Sequence, residues 1–319
     1  MQNLRTYITK ETLIVILELL VISFMIFSMM RLGPIDPIAS RFPQMNPEAR
    51  ELLREQLGYN DPIHTQYFHY MKDLVQGDFG MSIKYPNIDS IWDDLFAPRI
   101  WISFQLGLLA LLIGFPLGIF LGLIAARFRN SWFDSFLIAV LMPFRILPSV
   151  ILIQFCIFIF AAKLNILPAA GWEGIFSKNI IIPLLVLVLP GLAGGARFTR
   201  INALHVIDED YVRTAYAKGL SSKMVFLRHI LPNASLPIVY GLIVSLGDTL
   251  LTGFFFVELL YGINGIGKFM IDLTYAFDYD SILLFSIIAA SAYLILRRVA
   301  DISMGVIDPR IRAGEAKQF

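Results

Sequence analysis

Long apolar runs separated by short polar ones dominate this chain. Windows of about 19 residues pick out six runs. They extend from Thr12 to Met30, Trp101 to Ala126, Phe133 to Ala162, Ile180 to Ala196, Leu236 to Val257 and Ile282 to Leu296. Each approaches the roughly 20 residues that a helix needs to cross about 30 Å of hydrocarbon, and the last is the shortest. The first run carries one charge, Glu18, and the third is interrupted by Pro143, Arg145 and Pro148. The first run is too long for the apolar core of a signal peptide, has no A-x-A cleavage site and precedes further runs. It therefore reads as a retained anchor. On the second run Ala110, Gly114, Gly118 and Gly122 recur every four residues, a small-residue stripe suited to close helix contact, and Pro116 is expected to bend the same helix.

Between the runs the pattern turns amphipathic. The long segment after the first run has helical punctuation. Asn46 before Pro47 reads as an N-cap with proline at the first helical position, and Gly58 ends that pattern. Asp61 before Pro62 repeats the signal, Gly77 closes it, and Ile63, Tyr67, Tyr70, Met71 and Leu74 form an apolar stripe between them. A small helical cap is the natural reading, and a solvated linker the alternative. Ile88 to Phe96, with Trp92, is amphipathic and suited to lying along a membrane interface.

Composition agrees with lipid as the solvent. The chain is 57% hydrophobic and 16% charged, against roughly a quarter charged in soluble domains. Net charge is +1, so no global field suggests nucleic acid. Cys156, the single cysteine, lies in an apolar run and reads as a small buried residue. Lys and Arg fall unevenly among the loops. Arg5 and Lys10 precede the first run. Arg127 and Arg129 follow the second, and Arg197, Arg200, Arg213, Lys218, Lys223 and Arg228 follow the fourth. Arg297, Arg298, Arg310, Arg312 and Lys317 follow the sixth. The alternate loops hold only Lys163, Lys178 and Lys268, apart from the long 31–99 loop, which is too long to count. The positive-inside rule then puts both termini in the cytoplasm, a parity that six spans satisfy.

The basic loop after the fourth run is the most informative. Asp208, Glu209 and Asp210 suit a helix N-terminus, Ala215 and Ala217 favour the helix, and Gly219 can end it in the left-handed region. Ser221 can cap a second short helix that Pro232 ends. Two short helices meeting at a glycine make a compact knob that another protein can approach closely. A basic hairpin lying on lipid headgroups has the same composition, and composition does not separate the two.

The motif does. Arg213-Thr214-Ala215-x3-Gly219-x9-His229-Ile230-Leu231-Pro232 resembles the Glu-Ala-Ala-x3-Gly-x9-Ile-x-Leu-Pro loop of bacterial ABC-importer permeases. Arg213, Thr214 and His229 depart from the general pattern. The stretch Tyr211 to Leu220, with Ala217, Lys218 and Gly219, resembles the version in the dipeptide/oligopeptide/nickel branch. Gly77-Asp78-Phe79-Gly80-Met81-Ser82, Leu57-Gly58 and Asp61-Pro62 are similar to that branch as well. So are Val257-Glu258 with Gly262, Gly265 and Gly267, where Asn264 replaces a proline, and Asp308-Pro309-Arg310. The large loop after the first run resembles the first-permease type. The stretch from Arg31 to Pro37 and Ala97-Pro98-Arg99 match less closely.

This resemblance implies an all-α membrane protein with six transmembrane helices, the type I ABC-importer permease fold and a helical extracytoplasmic loop. The expected divisions are 1–30 (cytoplasmic N-terminus and first helix), 31–100 (outer loop), 101–300 (membrane core, with a cytoplasmic coupling loop over 197–234) and 301–319 (cytoplasmic tail). It further implies a second homologous permease, two ATP-binding subunits that hold ATP and Mg, an extracytoplasmic solute-binding protein, a peptide-like solute and a place in the bacterial inner membrane. Tyr211, Arg213, Thr214, Ala215, Ala217, Lys218, Gly219 and Leu220 would couple to an ATPase subunit.

The chain itself has no Gly-x4-Gly-Lys-Ser/Thr motif, and Gly262 to Gly267 reads as a tight turn, not a phosphate loop. Its histidines, His64, His69, His205 and His229, have no metal-ligand spacing. Charges in lipid face protein or water, which makes Glu18, Arg145, Asp248 and Glu258 candidates for lining a pore. Arg145 between its prolines is suited to a peptide carboxylate, or to a structural ion pair with Glu18 or with a neighbouring subunit. An ion-driven secondary transporter is the competing function. It predicts inverted repeats with helices broken at matching positions, which the sequence does not display. An intramembrane enzyme lacks a catalytic constellation.

Overall fold

A computed structural model describes residues 4–33, 38–39, 42–56, 58–80, 82, 85, 90–234, 237–238, 240–242 and 254–307. Asp248, most of the fifth apolar run and Asp308-Pro309-Arg310 lie outside the described residues. Among those described there is no strand. Four helices are long and apolar enough to cross a membrane, and a bent pair adds a fifth candidate span.

Helix α1 (Leu4–Arg31) runs well beyond the apolar stretch that predicts it. Helix α2 (Pro47–Gln56) starts at the proline, and the Asn46 carboxamide oxygen accepts from the Glu48 amide at 3.2 Å. Helix α3 (Ile63–Val75) has Pro62, not Asp61, at its N-cap position, with no side-chain cap. Gly77, at φ +82°, turns the chain after α3. α3 is not a free cap. Its Tyr67 and Tyr70 rings pack against Phe24 and Phe27 of α1, and Ser23 and Tyr67 share a 2.6 Å hydrogen bond.

The segment with Trp92 departs from the interfacial expectation. Ser90 caps a π-helical turn (Ile91–Phe96) that continues directly into α4 (Ala97–Arg127). Ile91, Leu95 and Phe96 are buried against Ile266, Phe269 and Leu284. Apolar burial at the end of the bundle outweighs what those side chains would gain at a headgroup surface. α4 runs unbroken through Pro116.

The third run is broken. Helix α5 (Trp132–Ile146) and helix α6 (Ser149–Cys156, extended by a π-helical turn Ile157–Lys163) meet at 103°. Leu147 is extended, as the residue before Pro148 must be. Helix α7 (Ile181–Ile207) is the packing centre. The stripe predicted on α4 lies against it, and the backbones touch. A Cβ on Gly118 would lie 2.8 Å from the Leu192 carbonyl oxygen, and one on Gly122 2.4 Å from that of Ala196. Only glycine permits that approach, so the stripe is a packing surface.

After α7 come α8 (Asp210–Ala217) and α9 (Ser222–Val225), the latter followed by a π-helical turn (Phe226–Ile230). Pro232 does not end this helix, which stays helical over 231–234. The widened turn just before the proline removes the clash its ring would make with an α-helical carbonyl. Helices α10 (Phe255–Tyr261), α11 (Ile266–Tyr275) and α12 (Tyr279–Ile307) complete the chain. α12 outruns its apolar stretch because Arg298 is neutralised. It pairs with Glu11 at 2.6 Å and Glu18 at 2.7 Å from α1, and with Asp301 at 3.6 Å. Those pairs lock α1 to α12 at one end, and Arg31 with Asp280 at 3.2 Å locks them at the other. Cys156 is buried in the apolar core.

Candidate functional site: the helical knob after α7

The knob follows directly on the C-terminal end of α7. Asp208 closes α7, Glu209 is extended, and α8 begins at Asp210 with no side-chain cap. The end of α8 is a Schellman motif. The Leu220 amide donates to the Ala215 carbonyl at 3.3 Å, and the Gly219 amide to that of Tyr216 at 2.9 Å. Gly219 stands at φ +81°, which is why glycine is there. Ser221 then caps α9, its hydroxyl accepting from the Met224 amide.

The knob has a core of its own. Val212, Ala215, Val225 and Ile230 are buried together, joined by Val206, Ile207 and Phe226. This sorts the predicted coupling residues. Tyr211, Arg213, Thr214, Ala217, Lys218, Gly219 and Leu220 are exposed. Ala215 is not. It is 4% exposed and faces inward, where a larger side chain would hold α8 off α9. Sequence reasoning missed Val212, whose spacing from Ala215 is the helical period that was the available signal.

Ion pairs tie the knob to the rest of the bundle. Arg129, in the turn between α4 and α5, reaches Asp208 at 2.7 Å. That hydrogen bond holds the Asp208 carboxyl below the usual carboxylate range. One helix further in, Arg200 of α7 grips Asp134 of α5 with two bonds of 2.6 Å. Neither Asp134 nor Arg298 was singled out from the sequence, since each is one charge at the edge of an apolar run. A cleft of about 540 Å³ opens beside the knob, lined by Arg127, Arg129, Asp208, Arg213 and Tyr216 among others.

The four pore candidates separate. Glu258 is fully buried. Its carboxylate accepts from the Ser103 hydroxyl and, at 3.1 Å, from the Lys268 amide in the first turn of α11. A Cβ on Gly265 would lie 2.4 Å from its carboxyl carbon. The Val-Glu motif with its following glycines thus builds a carboxylate clamp at a helix N-terminus, and Glu258 packs the fold instead of facing a pore. Glu18 belongs to the Arg298 cluster, so the suggested Glu18–Arg145 pair does not form. Arg145 is exposed. Asp248 lies outside the described residues. Among the described residues no group of three or more His, Cys, Asp or Glu side chains has a metal-binding arrangement.

Comparison with known proteins bears on what carries this knob. Residues 118–313 match the family described as binding-protein-dependent transport system inner membrane component, and residues 4–88 match the N-terminal region of such membrane components. The oligopeptide transport system permease protein OppB of Escherichia coli (strain K12) is 34% identical over 306 residues, covering 96% of this chain and 99% of that protein. The glutathione transport system permease protein GsiC of Shigella flexneri serotype 5b is 34% identical over 315 residues, covering 96% and 98%. The fold is that of a solved amino acid ABC transporter, with a TM-score of 0.51 at 16% identity, over 69% of this chain and 95% of that one. With both sequence matches spanning nearly its full length, the chain belongs to the family of binding-protein-dependent transport system inner membrane components, as an ABC-importer permease subunit.

Proposed function

We propose that this chain forms half of the translocation pore of an ATP-driven importer for peptide-like solutes, in the bacterial inner membrane with both termini cytoplasmic. A second homologous permease completes the pore, and two ATP-binding subunits hold ATP and Mg. An extracytoplasmic solute-binding protein delivers the solute, which the helical 31–100 loop would face. The names of the relatives, oligopeptide and glutathione permeases, support peptides as the solute class. The Lys and Arg bias of the loops supports the orientation.

The observation that carries the coupling role is the exposed face of α8. Tyr211, Arg213, Thr214, Ala217 and Lys218 point outward from a knob whose inner face is closed by Val212 and Ala215. Such a knob, continuous with α7 and tied to α5, passes a push to the bundle as a rigid-body movement. The remaining expected pore-facing groups, Arg145 and Asp248, would line the path.

Gly219 gives the test. A Cβ there meets nothing within 4 Å in this chain, so any added bulk projects outward. Gly219→Ala then bears only the left-handed backbone penalty, about 1–2 kcal/mol, while Gly219→Trp also obstructs docking. Co-purification of the tagged chain should bring down a second permease and two ATPases. Gly219→Trp should lose the ATPases and the uptake, while Gly219→Ala keeps most of both. Wild-type uptake by an assembled Gly219→Trp variant would sink the coupling role.

A further inference from the structure

Arg145 stands at the break between α5 and α6, in the last turn of α5. It is exposed and has no hydrogen bond or ion pair among the described residues. Its guanidinium rests against α7 where Gly194 leaves room, since a Cβ there would lie 2.4 Å from Nη1. Gly194 is the middle residue of α7, thirteen residues from each end. About 20 Å of helix therefore extends to either side. The cation sits against the last turn of α7's apolar stretch, three residues before Arg197.

A charge beside an apolar stretch persists where it meets water or a protein interior. Among the described residues, the acidic side chains of the apolar runs are engaged elsewhere: Glu18 with Arg298, Asp134 with Arg200, and Glu258 with Ser103 and the α11 amide. The surroundings favour an anion further. α6 begins four residues after Arg145, and its N-terminal end carries partial positive charge. On the facing stretch of α7, Gly191 and Gly194 present no side chains, and a Cβ on Gly191 would meet nothing within 4 Å. A free guanidinium, a broken helix and bare facing backbone lie together beside the apolar stretch of α7, the kind of elements with which broken-helix transporters hold a carboxylate.

We infer that Arg145 binds the carboxylate of the solute in transit, the C-terminal carboxylate of a peptide being its ligand. This rests on the peptide-importer reading above.

The test uses the complete importer with its solute-binding protein in proteoliposomes. Trialanine and trialanine amide are the probes, and each rate is normalised to binding-protein occupancy measured by equilibrium dialysis. Arg145→Gln should lower trialanine uptake about tenfold or more, as loss of a charge-assisted bond implies, and leave the amide's rate unchanged. Arg145→Lys should keep most trialanine uptake. Equal loss of both probes would make Arg145 an ion-pair partner of the other permease and overturn the inference, and so would unchanged uptake of both. A wild-type importer that co-purifies with its ATPases yet moves neither probe would overturn the peptide reading itself, and the carboxylate site with it.

Discussion

Arg200 and Asp134 face each other as a fork and a carboxylate, Nε to Oδ1 and Nη2 to Oδ2, both at 2.6 Å. Asp134 also accepts from the Asn130 amide at 3.3 Å, and its own amide donates to Ser131. The pair therefore joins α7 to the turn that launches α5, directly above the knob. Asp134 is nearly buried and Arg200 about a quarter exposed, so removing Asp134 leaves a partly buried guanidinium without its partner, at a cost of about 1–3 kcal/mol. Asp134→Asn should lower the unfolding midpoint of the detergent-solubilised complex clearly. The double variant Asp134→Leu, Arg200→Met should recover part of that loss. Equal destabilisation by the single and double variants would mean that the pair is not the coupling element between α5 and α7.

The α4–α7 contact predicts a steep size limit. At Gly122 an added Cβ would lie 2.4 Å from the Ala196 carbonyl oxygen and 2.7 Å from the Thr199 Cβ. Backbone cannot rotate away as a side chain can. Gly122→Ile should cost more than the about 1–3 kcal/mol usual for overpacking, and shift the chain from assembled complex to aggregate in size-exclusion chromatography. Leu117→Ile, on the exposed face of the same helix, should leave the elution profile unchanged.

A third prediction concerns the Glu258 clamp. Gly265→Ala places its Cβ against the carboxylate, and Glu258→Ala leaves the Ser103 hydroxyl and the Lys268 amide without that acceptor. An unsatisfied buried donor costs about 1–3 kcal/mol. Both variants should reduce thermal stability, and Glu258→Gln, which keeps the shape and one acceptor oxygen, should reduce it less. A Glu258→Ala complex with full stability but altered solute preference would instead return Glu258 to the pore.

How much of this was legible beforehand varies with range along the chain. The glycine stripe on α4, the Ser221 cap, the glycine end of α8 and the break before Pro148 all follow from neighbours within a turn or two. Failures came where a distant partner decided. Ile91 to Phe96 reads as interfacial until Phe269 and Leu284 are seen to cover it. Glu18 and Glu258 read as pore charges until Arg298 and Ser103 claim them. Ala215 reads as part of a docking motif until Val225 is found against it.

By itself the sequence determined that this chain lives in lipid, where its apolar runs lie, and that a two-helix basic loop with the permease motif follows α7. Those are properties of local composition and of periodicity at 3.6 residues. Only the tertiary structure decided which charges are spent. A carboxylate and a guanidinium separated by 280 positions, such as Glu18 and Arg298, meet or miss according to how helices pack, and no local pattern encodes that distance. By that criterion Arg145 has no acidic partner among the described residues, which sets it apart from Glu18 and Glu258.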